Sequence, residues 1–189
     1  MKYFCLSDDV HVPDRWHLGK TFDSNDVAGM RLELWLGKKA PSAVSPCVEI
    51  THPGVALDFC LTSFAVPIAE SNLADLIAAK AGSDLERLPL DIRGYEGYKE
   101  FEILNSIRVI KCLDEMKSQF IKWTKNDHRS DLAGQYRMVT KLKIDQSQIP
   151  SDAHFFRLEG WRIALIVSEQ VKFAMEDSGC VGAHFEEVS

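Results

Sequence analysis

The stretch Ile163-Ala164-Leu165-Ile166-Val167-Ser168-Glu169-Gln170-Val171-Lys172-Phe173-Ala174-Met175-Glu176-Asp177-Ser178-Gly179 changes period in its middle, and the change decides the fold class. Up to Val167 it is an apolar run rich in branched side chains, so Arg162 to Val167 reads as a strand. Beyond Ser168, the residues Val171, Ala174, Met175 and Ser178 fall at i, i+3, i+4 and i+7, the spacing of one helix face. Ser168 is expected to cap that helix and Gly179 to end it. Ala183 to Val188 then reads as a last short strand.

The same pattern occurs upstream. Pro67-Ile68-Ala69-Glu70-Ser71-Asn72-Leu73 runs from apolar strand into helix. Ser71 is expected to cap a helix reaching Lys80, with Leu73, Leu76, Ile77 and Lys80 on one face and Gly82 at the stop. The two units read either as a duplication or as the ordinary look of a strand-to-helix junction. Their spacing is not a solenoid period.

Around them the chain reads mostly as strand. Met1 to Ser7, Val48 to Thr51 and His154 to Leu158 are short strand runs, and Leu57 to Phe64 alternates less cleanly. Leu88 to Ile92 contains Pro89, which suggests an edge or a strand start. Tyr98 to Cys112 fits helix or strand and is taken as two strands for its Ile, Val and Phe content. Tyr136 to Ile144 is the clearest strand, with Tyr136, Met138, Leu142 and Ile144 on one face and Arg137, Lys141 and Lys143 on the other. Asp8 to Lys20 has loop chemistry, and Ala40 to Pro46 is linker-like. The expectation is a single α+β domain over residues 1–189, with a mixed, largely antiparallel sheet and a few packed helices.

Composition narrows the function classes. At 189 residues, 46% apolar and 26% charged, the chain is long enough for a core of its own. Its net charge of −6 disfavours nucleic acid and anionic membrane as partners. It suits a basic protein partner, and equally plain solubility. No leader-like segment opens the sequence, and the run Ile163 to Val167 is far short of the ~20 residues of a membrane span. A cytoplasmic protein is expected. The five cysteines, Cys5, Cys47, Cys60, Cys112 and Cys180, are odd in number and scattered, as free thiols are.

No catalytic constellation stands out. The histidines form no paired metal-binding motif. His11 and His17 with Asp8, Asp9 and Asp14 are the densest cluster, readable as a metal loop or as a solvated one. Asp127 to Asp131 holds a histidine, a serine and two acids, but adjacent residues cannot easily face one another as a triad. No nucleophile elbow or phosphate loop occurs. Gly94 to Tyr98 reads as a hairpin turn. No cofactor is expected.

Binding residues are easier to nominate. Arg157-Leu158-Glu159-Gly160-Trp161 places Arg157 and Glu159 on one strand face with an indole beyond a glycine, and Trp and Arg are favoured contact residues. The alternative is a core-packed tryptophan with a local ion pair. Residues 169–189 carry Glu169, Glu176, Asp177, Glu186 and Glu187 against Lys172 alone, a net −4. The candidate partner-binding residues are therefore Arg157, Glu159, Trp161, Glu176 and Asp177.

Several ordered stretches carry a family resemblance. They are S-D-D-V-H-V-P-D-R-W within Tyr3 to Trp16, H-P-G at His52 to Gly54, L-D-F at Leu57 to Phe59 and I-L-N at Ile103 to Asn105. After these come C-L-D at Cys112 to Asp114, F-R-L-E-G-W at Phe156 to Trp161, and V-S-E at Val167 to Glu169 before a helix and a G-x-x-F ending. In this order the chain resembles the eleventh immunity-protein family of bacterial polymorphic toxin systems. The resemblance implies a non-enzymatic protein that binds and neutralises a cognate toxin. It carries over no catalytic residue and no binding map. The rival readings are an adaptor or chaperone for a secreted effector, and a metal-dependent enzyme using the Asp8 to His17 loop. Oligomeric state is not legible.

Overall fold

A computed structural model describes residues 1–26 and 31–189. In chain order the strands are β1 (Tyr3–Asp8), β2 (His17–Leu18), β3 (Phe22–Asp23), β4 (Pro46–His52), β5 (Phe59–Leu61) and β6 (Pro67–Glu70). Helix α1 (Ser71–Ala81) follows, then β7 (Leu85–Arg93), β8 (Phe101–Ser106), β9 (Val109–Ile110), β10 (Gln119–Lys122) and β11 (Tyr136–Lys141). The chain closes with β12 (Phe155–Leu158), β13 (Leu165–Ser168), helix α2 (Glu169–Asp177) and β14 (Ala183–Glu187). The outcome is α+β but mostly sheet, with two α-helices among the described residues. It has two main sheets and a separate ribbon where one sheet was expected.

The first main sheet runs β5-β6-β8-β7-β4-β2, with β3 also on β4; the second runs β14-β1-β13-β12-β9. Only the β4–β7 and β12–β9 pairings are parallel among the named pairs. The two strand–helix units occupy matching places. The hairpin β5–β6 feeds directly into α1, and the hairpin β12–β13 feeds directly into α2. Each helix leads to a strand, β7 or β14, that lies two places from the hairpin's second strand. The place between is filled by β8 in one unit and by β1 in the other, antiparallel to both neighbours each time. The second unit is thus completed by the chain's first strand.

Both faces of β6, β12 and β13 are buried, which is why they read as near-continuous apolar runs and not as alternating ones. Phe155, Leu165 and Val167 point into a middle core shared with Phe4, Leu6, Leu104 and the facing sides of α1 and α2. Their neighbours Phe156 and Ile166 point the other way, into a core with Tyr3, Ile110, Leu142 and Ile144. The first sheet does the same: Ala69 and Leu104 face the helices, while Ile68 and Ile103 face Trp16, Val48 and Phe101. Burying each such Leu, Ile, Val or Phe stabilises by roughly 1.5–3 kcal/mol.

Several local expectations change. Glu70, not Ser71, caps α1, its carboxylate accepting from the backbone N–H groups of Asn72 and Leu73. The buried face of α1 is Leu73, Ala74, Ile77 and Ala81, while Leu76 is exposed, because the middle core approaches from a slightly rotated direction. Ser168 occupies the cap position of α2, but its hydroxyl makes no cap bond and shares a hydrogen bond with His154 Nδ1 instead. Tyr136 to Ile144 does not present one buried face. Met138 is exposed, and Leu142 and Ile144 become buried only after β11 has ended. Pro89 lies in the part of β7 that pairs with β8 alone, before β4 joins at Asp91, so one side there needs no N–H donor. Ala40 and Val44 pack on the core of the first sheet and do not form a free linker. All five cysteines are free thiols.

Candidate partner-binding cleft

Three of the four tryptophans of the chain, Trp35, Trp123 and Trp161, line one open cleft of about 1110 Å³. Tyr136 joins them. Each of these residues is half-buried, so each is held by the protein yet stays partly open to solvent. The fourth tryptophan, Trp16, is buried in the core against Tyr95 and Phe101.

Three pieces of backbone position these rings. Trp35 lies in a single 3₁₀ turn, Leu34–Leu36, ended by Gly37 in the left-handed conformation. The Arg31 guanidinium sits 4.2 Å from the Trp35 ring and 4.1 Å from Phe64, holding the pair by cation–π contact. Trp123 follows β10, with the Arg137 guanidinium 4.8 Å from its ring and the His128 ring edge-on at 5.3 Å. Tyr136 opens β11; its hydroxyl donates to Glu115, and the Lys122 ammonium donates to the same oxygen, each at 2.6 Å. Burial, and then the Glu115 carboxylate, push the Tyr136 hydroxyl pKa well above its ordinary value, so it stays a donor at neutral pH.

The turn after β12 forms the remaining wall. Tyr136 N–H donates to the Gly160 carbonyl at 3.2 Å. Gly160 has φ of +81°, and a Cβ there would stand 3.0 Å from the Tyr136 ring, so both conformation and space require glycine. Glu159 is exposed at the cleft rim, and Trp161 packs partly on the core of the second sheet.

Arg157 does not reach the surface. It is fully buried behind this turn and, among the described residues, pairs with no carboxylate. Its guanidinium donates to the carbonyls of Arg162 (3.2 Å), Ile163 (3.4 Å) and Ala65 (2.8 Å). Ala65 belongs to the β5–β6 turn of the first sheet, so Arg157 ties that turn to the cleft wall. Burial draws its pKa down to about 10, which still leaves it charged at neutral pH. Arg157 and Glu159 therefore share no face: one supports the wall and the other stands on its rim.

Glu176 and Asp177 lie apart from the cleft, in the last turn of α2, both exposed. Glu176 pairs with Lys172 one turn back. The Asp8 to His17 loop is engaged in structural bonds. Asp8 accepts from Arg15 and from Leu61 N–H, and Asp9 accepts from His11 N–H. Among the described residues no three metal-ligating side chains converge. The Asp127 to Asp131 loop is likewise self-bonded: Asp127 accepts from Thr124, and Arg129 pairs with Asp131. No helix among the described residues is long and apolar enough to cross a membrane.

Trp35, Trp123 and Tyr136 were not singled out in the sequence. A signal existed for Trp123, an indole set in the polar run Lys122-Trp123-Thr124-Lys125-Asn126-Asp127, where core packing is improbable. Nothing local announces that Trp35 joins it.

The mixed-sheet scaffold thus presents an open aromatic cleft on its surface. The model of the Immunity protein family (Imm11) matches residues 93–189, and the chain belongs to that family. The matched region holds Trp123, Tyr136, Glu159 and Trp161, and leaves Trp35 outside it. No curated protein matches the chain.

Proposed function

We propose that this protein is a non-enzymatic immunity protein of a bacterial toxin system, and that it neutralises its cognate toxin by binding it through the tryptophan-lined cleft. Membership of an immunity-protein family supports the role. The convergence of Trp35, Trp123, Tyr136 and Trp161 on one open surface carries the choice of site. Large, rigid, partly exposed aromatic side chains release much water on contact and lose little conformational freedom. A stable complex of this kind covers roughly 800 Å² on each partner. Glu159 and Trp161 contact the partner in this reading, and Arg157 holds the wall on which they stand. The protein works in the cytoplasm of the producing cell, where the toxin would otherwise act.

The test is co-expression with the product of the adjacent reading frame. That product alone should arrest growth, and adding this chain should restore growth and yield a co-eluting complex. Restoration without a complex, or a complex that leaves the toxin active, counts against the proposal. An effector chaperone would give a different pattern: deleting this gene would deplete the effector without poisoning the cell.

A further inference from the structure

The charge of the chain is unevenly placed. Residues 111–143, which include the β10–β11 ribbon, carry eight basic and four acidic residues, a net +4; the remainder carries −10 within the total of −6. All four acids of this segment are paired inside it. Asp114 pairs with Lys117, Glu115 with Lys122, Asp127 with Arg137 and Asp131 with Arg129. The excess therefore rests on Lys111, Lys125, Lys141 and Lys143. The Lys143 ammonium donates to main-chain oxygens of Glu187 and Ser189.

The same ribbon exposes apolar side chains. Ile121 and Met138 face each other across the two strands, 54% and 48% exposed, and Met116 is 94% exposed. The aromatic rings Phe120 and Tyr136 are half-buried, with the Lys122 ammonium lying 5.4 and 5.0 Å from their centroids. Met116, Lys141 and Lys143 also border a hollow of about 480 Å³. The exposed centre is thus aliphatic, with ammonium groups at its rim.

We infer that the β10–β11 ribbon is a docking surface for an acidic patch with an apolar centre on a partner protein. This inference rests on the toxin-binding reading and names the chemistry of the toxin's contact surface. Flexible aliphatic side chains such as Met116 and Met138 adapt to protein surfaces. Four ammonium groups in excess beside a body of −10 attract phosphate poorly. A second copy of this chain is also acidic overall, but ribbon-to-body contact is head-to-tail and would build rings or open chains of molecules. A separate acidic partner satisfies the surface without that consequence. Opposed charge of this kind acts chiefly on the association rate and is screened by salt.

The experiment measures association of the purified product of the adjacent reading frame with the full chain and with Lys125→Glu/Lys141→Glu. Both lysines are exposed and outside the folded contacts described above, and Lys125→Arg/Lys141→Arg serves as the charge-preserving control. The Glu pair should slow association about tenfold or more at low salt, with the gap closing as salt rises, and the Arg pair should match the parent. Equal rates for parent and Glu pair would overturn the ribbon inference and leave toxin binding standing. No binding by the parent would overturn both. Tight binding of the parent to a random-sequence DNA duplex, or its self-assembly, would also overturn the inference if the Glu pair abolished that property and left toxin association unchanged.

Discussion

Arg157 holds a charge among three backbone carbonyls, with no acid paired to it among the described residues, and two opposing effects decide what its loss would do. Each bond from a charged donor stabilises by about 1.5–3 kcal/mol. Releasing the buried charge returns about 3 kcal/mol, from a pKa drawn down to about 10. The bonds win, so Arg157→Met should destabilise by about 2–4 kcal/mol, lowering Tm by roughly 5–15 °C. Trp161→Ala should behave differently, with a smaller loss of Tm and a toxin affinity weakened by about 30-fold or more, as for a buried aromatic anchor. Thermal melts beside titration calorimetry separate the two effects. The opposite ranking, with Arg157→Met acting on affinity alone, would remove the support role. This division was not visible in the sequence. The motif F-R-L-E-G-W showed that something concentrates there, but adjacent letters cannot say which side chain turns inward.

At the scale of elements, periodicity located both helices and most of the strands, because a change of apolar period survives whatever the tertiary context is. The ends and faces were less legible. A serine before a helix is the better statistical cap, yet Glu70 reaches Asn72 and Leu73 N–H while Ser71 already lies inside the helix. Glu70→Ala should therefore cost about 1 kcal/mol, whereas Ser71→Ala should stay within about 0.5 kcal/mol, as read by urea midpoints. The reverse order would restore the serine cap. The ribbon shows a second limit. Alternation in Tyr136 to Ile144 was real, but its register shifts against β10 and its burial beyond β11 depend on neighbours distant in the chain. Three cleft rings come from a turn, a strand end and a strand start. Their meeting is a property of topology and not of any local pattern.

The whole molecule joins two similar strand–helix units back to back through α1 and α2, with β1 filling the second unit. The echo noticed in the sequence therefore corresponds to matching positions in the fold. The sequence could not show that the first strand completes the last unit, since nothing local links residues 3–8 to residues 165–187. The arrangement also buries thiols. Burial pushes Cys5 up to about 11, and Cys60, Cys112 and Cys180 up to about 12. In the unfolded chain these groups ionise near 9, so above that pH the unfolded state releases protons that the folded state keeps. Stability from these groups is complete below pH 9 and declines as pH rises towards 11–12. Arg157 acts oppositely above pH 10, but it is one group against four. Chemical melts across pH 8 to 11 should show a falling midpoint; a constant or rising one would contradict the burial of these thiols.

The central claim is that the tryptophan-lined cleft is where the toxin binds. Hydrogen exchange of the chain, alone and saturated with the product of the adjacent reading frame, tests it most directly. Added protection should fall on residues 119–141 and 159–163, around Trp123, Tyr136 and Trp161. Protection confined to the end of α2, around Glu176 and Asp177, with the cleft unchanged, would contradict it.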